Sequence, residues 1–259
     1  MRLIDTHAHI DEESFDVDRR EMLDRARDQG MVGIVTLGTT LDSSRRAVAL
    51  ANQSPLVYAA VGVHPNYINS STSQDWDQIV QLANDPRVVA IGETGLDLYW
   101  KTVPLDSQRE WFRKHFALSR ELQKPFCVHC REAEEPVLEE LRQEAERGPL
   151  LGVMHSFAGS AETARECVRL GMYISFSGIF TYKKSQSLRD LARELPRDRL
   201  LVETDSPYLS PQPVRGRRNE PAHVRMTAEI LAAECGVSLE EIGEITTQNA
   251  ERLFGLKQA

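Results

Sequence analysis

Short apolar runs alternate with amphipathic helical stretches along the whole chain, at a spacing of about 20–40 residues, and this alternation constrains the fold more than any other feature. The strand-like runs fall at 3–6, 32–37, 57–63, 88–91, 126–128, 151–154, 172–176 and 200–202. Many are apolar on consecutive positions, the pattern of a parallel strand covered on both faces. Helical stretches between them include 19–29, 43–52, 108–122, 134–146, 161–170 and 188–194. In 108–122, Trp111, Phe112, His115, Leu118 and Leu122 recur at three- and four-residue steps, which lays one stripe along a helix. Eight strand–helix units in 259 residues, with a helical tail over 238–254, is the arithmetic of an α/β fold of the (β/α)8 TIM-barrel type. The rival, a doubly wound open sheet, often carries a glycine-rich phosphate loop after its first strand; here that strand runs into Asp5-Thr6-His7-Ala8-His9. No linker rich in Pro, Gly or Ser divides the chain, and the irregular stretch 206–221 reads as a loop after the last strand. Residues 1–259 are therefore expected to form a single barrel domain with extra C-terminal helices.

Composition removes several classes. The longest apolar candidates, near 56–63, are strand-sized and fall short of the roughly 18 residues a membrane span requires. The opening MRLIDTHAHID places histidines and acids where a secretory signal needs an apolar core, so a cytoplasmic protein without membrane contact is expected. Nothing points to an obligate protein partner. Lys and Arg number 31 against 39 Asp and Glu, a net charge of −8. That balance disfavours non-specific coating of nucleic acid, while a local cationic patch or bound metal ions could still hold a phosphate backbone. Four cysteines in a chain this long do not build a disulfide framework. The lone Cys127-x-x-Cys130 reads as packing thiols rather than a zinc or redox pair.

The seven histidines are few enough for their positions to be informative. His7 and His9 end the first strand, His64 the third, His129 the fifth and His155 the sixth; Glu93 ends the fourth, and Glu203 and Asp205 the eighth. Residues two apart on a strand share a side, so His7 and His9 can grip one ion together. A barrel gathers the C-terminal ends of its strands at one mouth, where active sites of this architecture lie. Six groups of metal-ligating type converge there: His7, His9, Glu93, His129, His155 and Asp205. Singly, each has a plainer explanation, as a hydrogen-bonded rim histidine, a buried acid or a turn cap. All six on one rim do not. Four imidazoles and two carboxylates exceed the needs of one four-coordinate ion and suit two divalent cations, with Glu93 placed to bridge ions about 3.5–4 Å apart. The mixed nitrogen and oxygen set fits Zn, Mn, Co, Fe or Ni, and Mg less comfortably.

These residues lie in motifs that resemble those of the TatD-type metal-dependent hydrolases, a branch of the amidohydrolase superfamily described largely as deoxyribonucleases. The likeness runs end to end: DTHAHID at 5–11, GVHP at 62–65, IGETGLD at 91–97, KPFCVHCRE at 124–132, HSFAGS at 155–160, ETDSPYLSP at 203–211 and RGRRNEP at 215–221. It implies that His7, His9, Glu93 and Asp205 ligate one ion and that Glu93, His129 and His155 ligate the second. It also implies that His64 lies near the pocket as a polar substrate or supporting group. The chain departs from the family pattern at Asn66, where many relatives carry a second histidine, at Leu98, often aromatic in relatives, and at Cys130, often small or polar. None of these removes a ligand, so they bear on substrate preference rather than on the metal site.

The parts imply metal-assisted hydrolysis, in which two cations acidify a water and polarise the oxygen under attack while Asp205 serves as general base and Glu93 as shared ligand. Glu203 and Asp97 are candidates for orienting the ligands, with structural roles in strand-end turns equally open. A deoxyribonuclease cleaving phosphodiesters of DNA, from an accessible end or a single strand, is the leading expectation. The same site could cleave an aminoacyl-tRNA ester, a lactone or a small phosphoester, because fold and metal set do not fix the substrate. A non-catalytic binding or quality-control protein with a vestigial metal site is a third reading, and the intact set of six ligands argues against it. Arg215, Arg217 and Arg218 bring three cations to the loop after the eighth strand, and the latter two are expected to contact substrate phosphates.

Overall fold

The computed structural model describes residues 1–256. Eight strands form one sheet in chain order: β1 (Leu3–Ala8), β2 (Met31–Leu37), β3 (Val57–Val61), β4 (Val88–Asp97), β5 (Phe126–Arg131), β6 (Gly152–Met154), β7 (Tyr173–Phe176) and β8 (Leu200–Val202). Each pairs in parallel with the next. Parallel neighbours need a crossover, and a helix supplies it every time. The crossovers are α1 (Arg19–Asp28), α2 (Leu41–Gln53), α3 (Ser73–Leu82), α4 (Leu105–Leu122), α5 (Glu134–Ala145), α6 (Ala161–Arg169) and α7 (Gln186–Glu194), and α8 (Val224–Cys235) and α9 (Leu239–Phe254) follow β8. This is the (β/α)8 TIM barrel, with one helix beyond the repeat.

Two strand ends differ most from expectation. β4 and β5 run on to Asp97 and Arg131, six and three residues past the apolar runs, because polar residues at the mouth continue the ladder as far as Asp97 opposite Arg131. The stretch 73–82, not among the expected helices, is α3. Its signal is a capping box: the Thr72 hydroxyl accepts from Asp75 N–H while the Asp75 carboxylate accepts from Thr72 N–H.

Apolar side chains separate into two layers. Ile4, Val35, Ala60, Ala90, Cys127, Val153 and Leu201 pack together inside the barrel. A larger cluster, including Ile34, Val57, Phe112, Phe116, Leu200 and Val202, fills the space between strands and helices. Adjacent residues of one strand, such as Leu200 and Leu201, go to opposite layers, as the pleat requires. The interior is stoppered by the last helix, whose Ala250, Leu253 and Phe254 join the inner cluster. Thr247 donates to the carbonyl of Arg2, and Asn249 to those of Arg197 and Leu200, so α9 sits where β1 and β8 begin. Burial of Leu253 and Phe254 there contributes roughly 1.5–3 kcal/mol each. The opposite end stays open.

The seam between β8 and β1 closes at that open end. Beyond β8, Asp205 N–H donates to His7 O at 2.8 Å and His9 N–H to Ser206 O at 2.7 Å, around an Ala8–Ser206 bridge. Below them Thr204 N–H and hydroxyl both donate to the buried Asp5 carboxylate, the first at 2.9 Å. The residues expected to carry the chemistry are thus the ones that close the barrel.

Candidate metal centre

Simple alternation would not deliver these side chains to the mouth. On β1, Ile4 lies in the inner layer and Ala8 in the outer one, although residues four apart should share a side. A register shift between Asp5 and Ala8 reverses the facing, and His7 and His9 turn inward together. On β4, Ile91 and Leu96 both lie in the outer layer although five residues apart, and a register shift between Ile91 and Thr94 falls on Glu93. The strands flanking Glu93 are also unusually close. A Cβ at Gly62 would stand 2.7 Å from the carbonyl carbon of Gly92, and Gly92 itself has φ +140° with Cys127 O only 2.9 Å from where its Cβ would be. Only glycine fits either place.

Glu93 is the hub. Its Oε2 lies 3.5 Å from both His7 Nε2 and His9 Nε2, and these two nitrogens are 3.4–3.7 Å from Asp205 Oδ1. Its Oε1 lies 3.0 Å from His155 Nε2, 3.1 Å from His129 Nδ1 and 3.5 Å from His64 Nε2. The structure thereby brings together all six expected ligands and His64, with one carboxylate oxygen facing each half of the set. Three trios have their ligating atoms within 4.8 Å of one another: His7–His9–Asp205, His7–Glu93–His155 and His64–Glu93–His129.

Hydrogen bonds on the far side of four rings decide which nitrogen keeps a lone pair, whereas His7 Nδ1 is buried without a partner among the described residues. His9 Nδ1 is 3.0 Å from the carbonyl of Leu37, which only a ring N–H can satisfy, so Nε2 is free for a cation. His155 Nδ1 faces Glu203 Oε1 at 3.3 Å, and His129 Nε2 faces Asp97 Oδ2 at 3.0 Å, which frees the nitrogen turned toward Glu93 in each case. Glu203 and Asp97 thus stand where ligand-orienting groups were expected. His64 is the reverse. Its Nδ1 accepts the Asn66 N–H at 3.1 Å, so a neutral His64 carries its proton on Nε2 and presents a donor, not a lone pair, to the centre.

The charges point the same way. Burial raises the Glu93 carboxyl, yet His155, His64 and His129 around it hold it well below the usual carboxylate range. Asp205, also buried, is held down by His9 and His7. Burial disfavours charged rings, but the facing carboxylates lift His155 well above its ordinary value and His9 to about 9. For His64 burial prevails, and it falls to about 3. The cluster therefore draws positive charge onto His9, His129 and His155, though burial and the neighbouring His155 lower His7, and divalent cations meet that demand with a mixed imidazole–carboxylate donor set that fits them. Cation binding should expel protons. Calorimetry in buffers of different ionisation enthalpy is expected to show on the order of one to two protons released per ion, and affinity should weaken as pH falls from about 8 to 6, since protons compete for the same nitrogens. An affinity flat across that range would contradict the assignment.

Cys127 and Cys130 are free thiols that diverge, one in the inner layer and one against the outer. Burial pushes both thiols up, away from the thiolate a metal needs. A Cys127→Ala, Cys130→Ala double variant is expected to retain its full metal content by elemental analysis.

A family model described as TatD related DNase matches residues 4–255. The chain belongs to the TatD family. The "uncharacterized metal-dependent hydrolase YabD" of Bacillus subtilis (strain 168) is 42% identical over 252 residues, covering 97% of this chain and 98% of that protein. A Citrobacter koseri protein named 3'-5' ssDNA/RNA exonuclease TatD is 33% identical over 259 residues, covering 98% and 99%. The crystal structure of YJJV, a TatD homologue from Escherichia coli K12, superposes with a TM-score of 0.92 at 29% identity over 98% of each chain. A TatD-family chain with this donor set is a metal-dependent hydrolase.

Around the TatD-family centre stand residues that motif reading left without a role. Asn66, a departure from the family pattern, both sets the His64 tautomer through its backbone and donates from Nδ2 to Asp97 Oδ2 at 3.0 Å. His115, expected as part of an α4 stripe, is fully buried and its Nε2 accepts Val63 N–H at 3.0 Å, anchoring the loop that carries His64. Asn219 donates to the carbonyls of Thr204 and Tyr208 and ties down the loop after β8. Only its place within RGRRNEP marked it.

The arginines of that loop divide. Arg218, expected at substrate phosphates, instead forks onto Asp18, Nη1 to Oδ1 at 2.8 Å and Nη2 to Oδ2 at 2.7 Å, with its guanidinium over the Phe15 ring. The carboxylate at the start of α1 matches its planar fork and uses it up. Arg215 lies 4.7 Å over the Tyr182 ring. Arg217 is exposed, and its side chain makes no hydrogen bond or ion pair among the described residues.

Proposed function

We propose that this hydrolase cleaves phosphodiester bonds in DNA, from a free end or a single strand, using two divalent cations held on either side of Glu93. The observation that carries the substrate class is the charge at the mouth. In a chain of net charge −8, Lys101 after β4, Arg131 at the end of β5, Lys183 and Lys184 after β7 and Arg217 after β8 are exposed and have no carboxylate partner among the described residues. Away from the mouth arginines are commonly matched to acids, as in Arg113–Glu140 and Arg142–Glu166. Exposed cations without a carboxylate partner among the described residues also occur elsewhere, as at Arg252 on α9, but five around one opening suit a polyanion better than a small neutral ester. The name carried by the Citrobacter koseri relative supports the same substrate.

In this reading His7, His9, Asp205 and Glu93 would hold one ion, and Glu93, His129 and His155 would hold the other. When bound, the cations supply an acidified water and polarise the phosphoryl oxygen. Asp205, whose Oδ1 lies 3.4–3.7 Å from His9 and His7 Nε2, would take the water's proton. Its backbone is left-handed, φ 57°, and is pinned by its N–H on His7 O and its carbonyl on Tyr208 N–H, which fixes the position from which the carboxylate reaches the centre. His64 Nε2–H offers a donor to an oxygen of the phosphate.

Metal-reconstituted protein would be offered single-stranded DNA, duplex DNA, RNA and aminoacyl-tRNA in parallel, with Glu93→Ala as contamination control. Single-stranded DNA should be cleaved fastest, and none of it by the variant. Deacylation of aminoacyl-tRNA without strand cleavage would overturn the assignment. Arg217→Ala is expected to raise KM for DNA several-fold and reduce the salt slope by about one, whereas Arg218→Ala should lower the melting temperature instead.

A further inference from the structure

We propose that four exposed aromatic rings at the barrel mouth form a stacking rim for the unpaired bases of a single strand, and that this rim selects single strands over duplex. The inference rests on the nuclease reading above and adds the surface that holds the bases. Among the described residues the exposed aromatic side chains are Tyr67, Tyr99, Trp100 and Tyr208. All four lie on segments that leave the C-terminal ends of β3, β4 and β8, beside the candidate centre, and none lies at the opposite end. An exposed ring forgoes burial, so confinement of all of them to the catalytic rim calls for a reason.

The rings flank both halves of the centre. Tyr67 lies 5.9 Å from the His64 ring, next to Glu93 Oε1, and Tyr208 lies 6.1 Å from the His9 ring, next to Oε2. Tyr99 and Trp100 are bolted to the centre through one carboxylate. Asp97 Oδ1 accepts both their backbone N–H groups, at 2.9 and 3.0 Å, while Oδ2 faces His129 Nε2. The two rings meet edge to face, 5.0 Å apart at 88°, and the Arg131 guanidinium lies 3.9 Å over Tyr99 and 5.6 Å from Trp100. The pair is fixed in place beside an exposed cation that covers part of Tyr99, has no carboxylate partner among the described residues and suits a strand's phosphate.

Every base has a π-face, so such a rim tolerates sequence; a duplex has its faces occupied by its own neighbours and cannot use it. A protein partner is the poorer occupant. The rings are separated by polar groups and unpaired cations rather than joined in one apolar patch, and a partner covering them would seal the opening to Glu93.

The test uses the metal-loaded enzyme with two hydrolysis-resistant phosphorothioate decamers of equal charge, dT10 and an abasic strand, and reads Kd by fluorescence anisotropy. Wild type should prefer dT10. In a Tyr99→Ala, Trp100→Ala double variant the Kd for dT10 should rise about ten-fold for each base that loses its ring, while that for the abasic strand shifts by less than about two-fold. Trp100→Phe should keep most of the affinity, and an unchanged melting temperature shows that the barrel is intact. Equal loss on both strands, or loss on neither, overturns the rim. Wild type that binds and cleaves neither strand fails earlier, in the substrate panel, and refutes the nuclease reading itself.

Discussion

Glu93→Ala is expected to lose at least about a thousand-fold in turnover and to retain at most one tightly bound ion per chain. The size follows from position. One carboxylate oxygen faces His7 and His9 at 3.5 Å and the other faces His155 and His129 at 3.0 and 3.1 Å, so its removal strips a ligand from both ions at once. Polarisation by such ions amounts to several kcal/mol of transition-state stabilisation, and each 1.36 kcal/mol or so is ten-fold in rate. The barrel should survive, because the Glu93 N–H still donates to Gly38 O and the β1–β8 seam does not involve its side chain. Circular dichroism, elemental analysis and turnover on single-stranded DNA check the three parts together. Wild-type turnover in that variant would remove Glu93 from the centre.

Asp205→Asn is expected to cut kcat by about 10²–10⁴ while keeping the fold and at least one ion, with KM little changed. The amide retains an oxygen with lone pairs near His7 and His9, so the cation keeps a contact, but it cannot accept a proton from water. The backbone bonds that close the seam, Asp205 N–H to His7 O and Tyr208 N–H to Asp205 O, are untouched. If kcat stays within a few-fold of wild type, Asp205 ligates without acting as base. A parallel fall in metal content would assign the loss to ligation.

The barrel was legible in the sequence because eight buried parallel strands leave eight separated apolar runs, and the mouth was legible because rare polar residues follow those runs directly. His129 and His155 are of this kind. The facing of β1 and β4 was not legible. A strict two-residue period sends Ile4 and Ala8 to one side, and the register shifts that reverse them leave no mark in residue type. Nor could the positive charge of Arg218 show that Asp18, two hundred residues away, had already taken its guanidinium. The aromatic rim was hidden for a related reason: its rings come from three separate segments, and only closure of the barrel brings them together. The role of His64 depends on one backbone N–H, that of Asn66, which sets the tautomer.

The most direct measurement is an anomalous-scattering map of metal-reconstituted crystals, collected at the absorption edge of the added metal. Two peaks are expected, about 3.5–4 Å apart. One should contact His7, His9, Asp205 and Glu93 Oε2, the other His129, His155 and Glu93 Oε1, and neither should contact His64 Nε2. A single peak at full occupancy, or a peak liganded by His64 Nε2, would contradict a centre built on the two oxygens of Glu93.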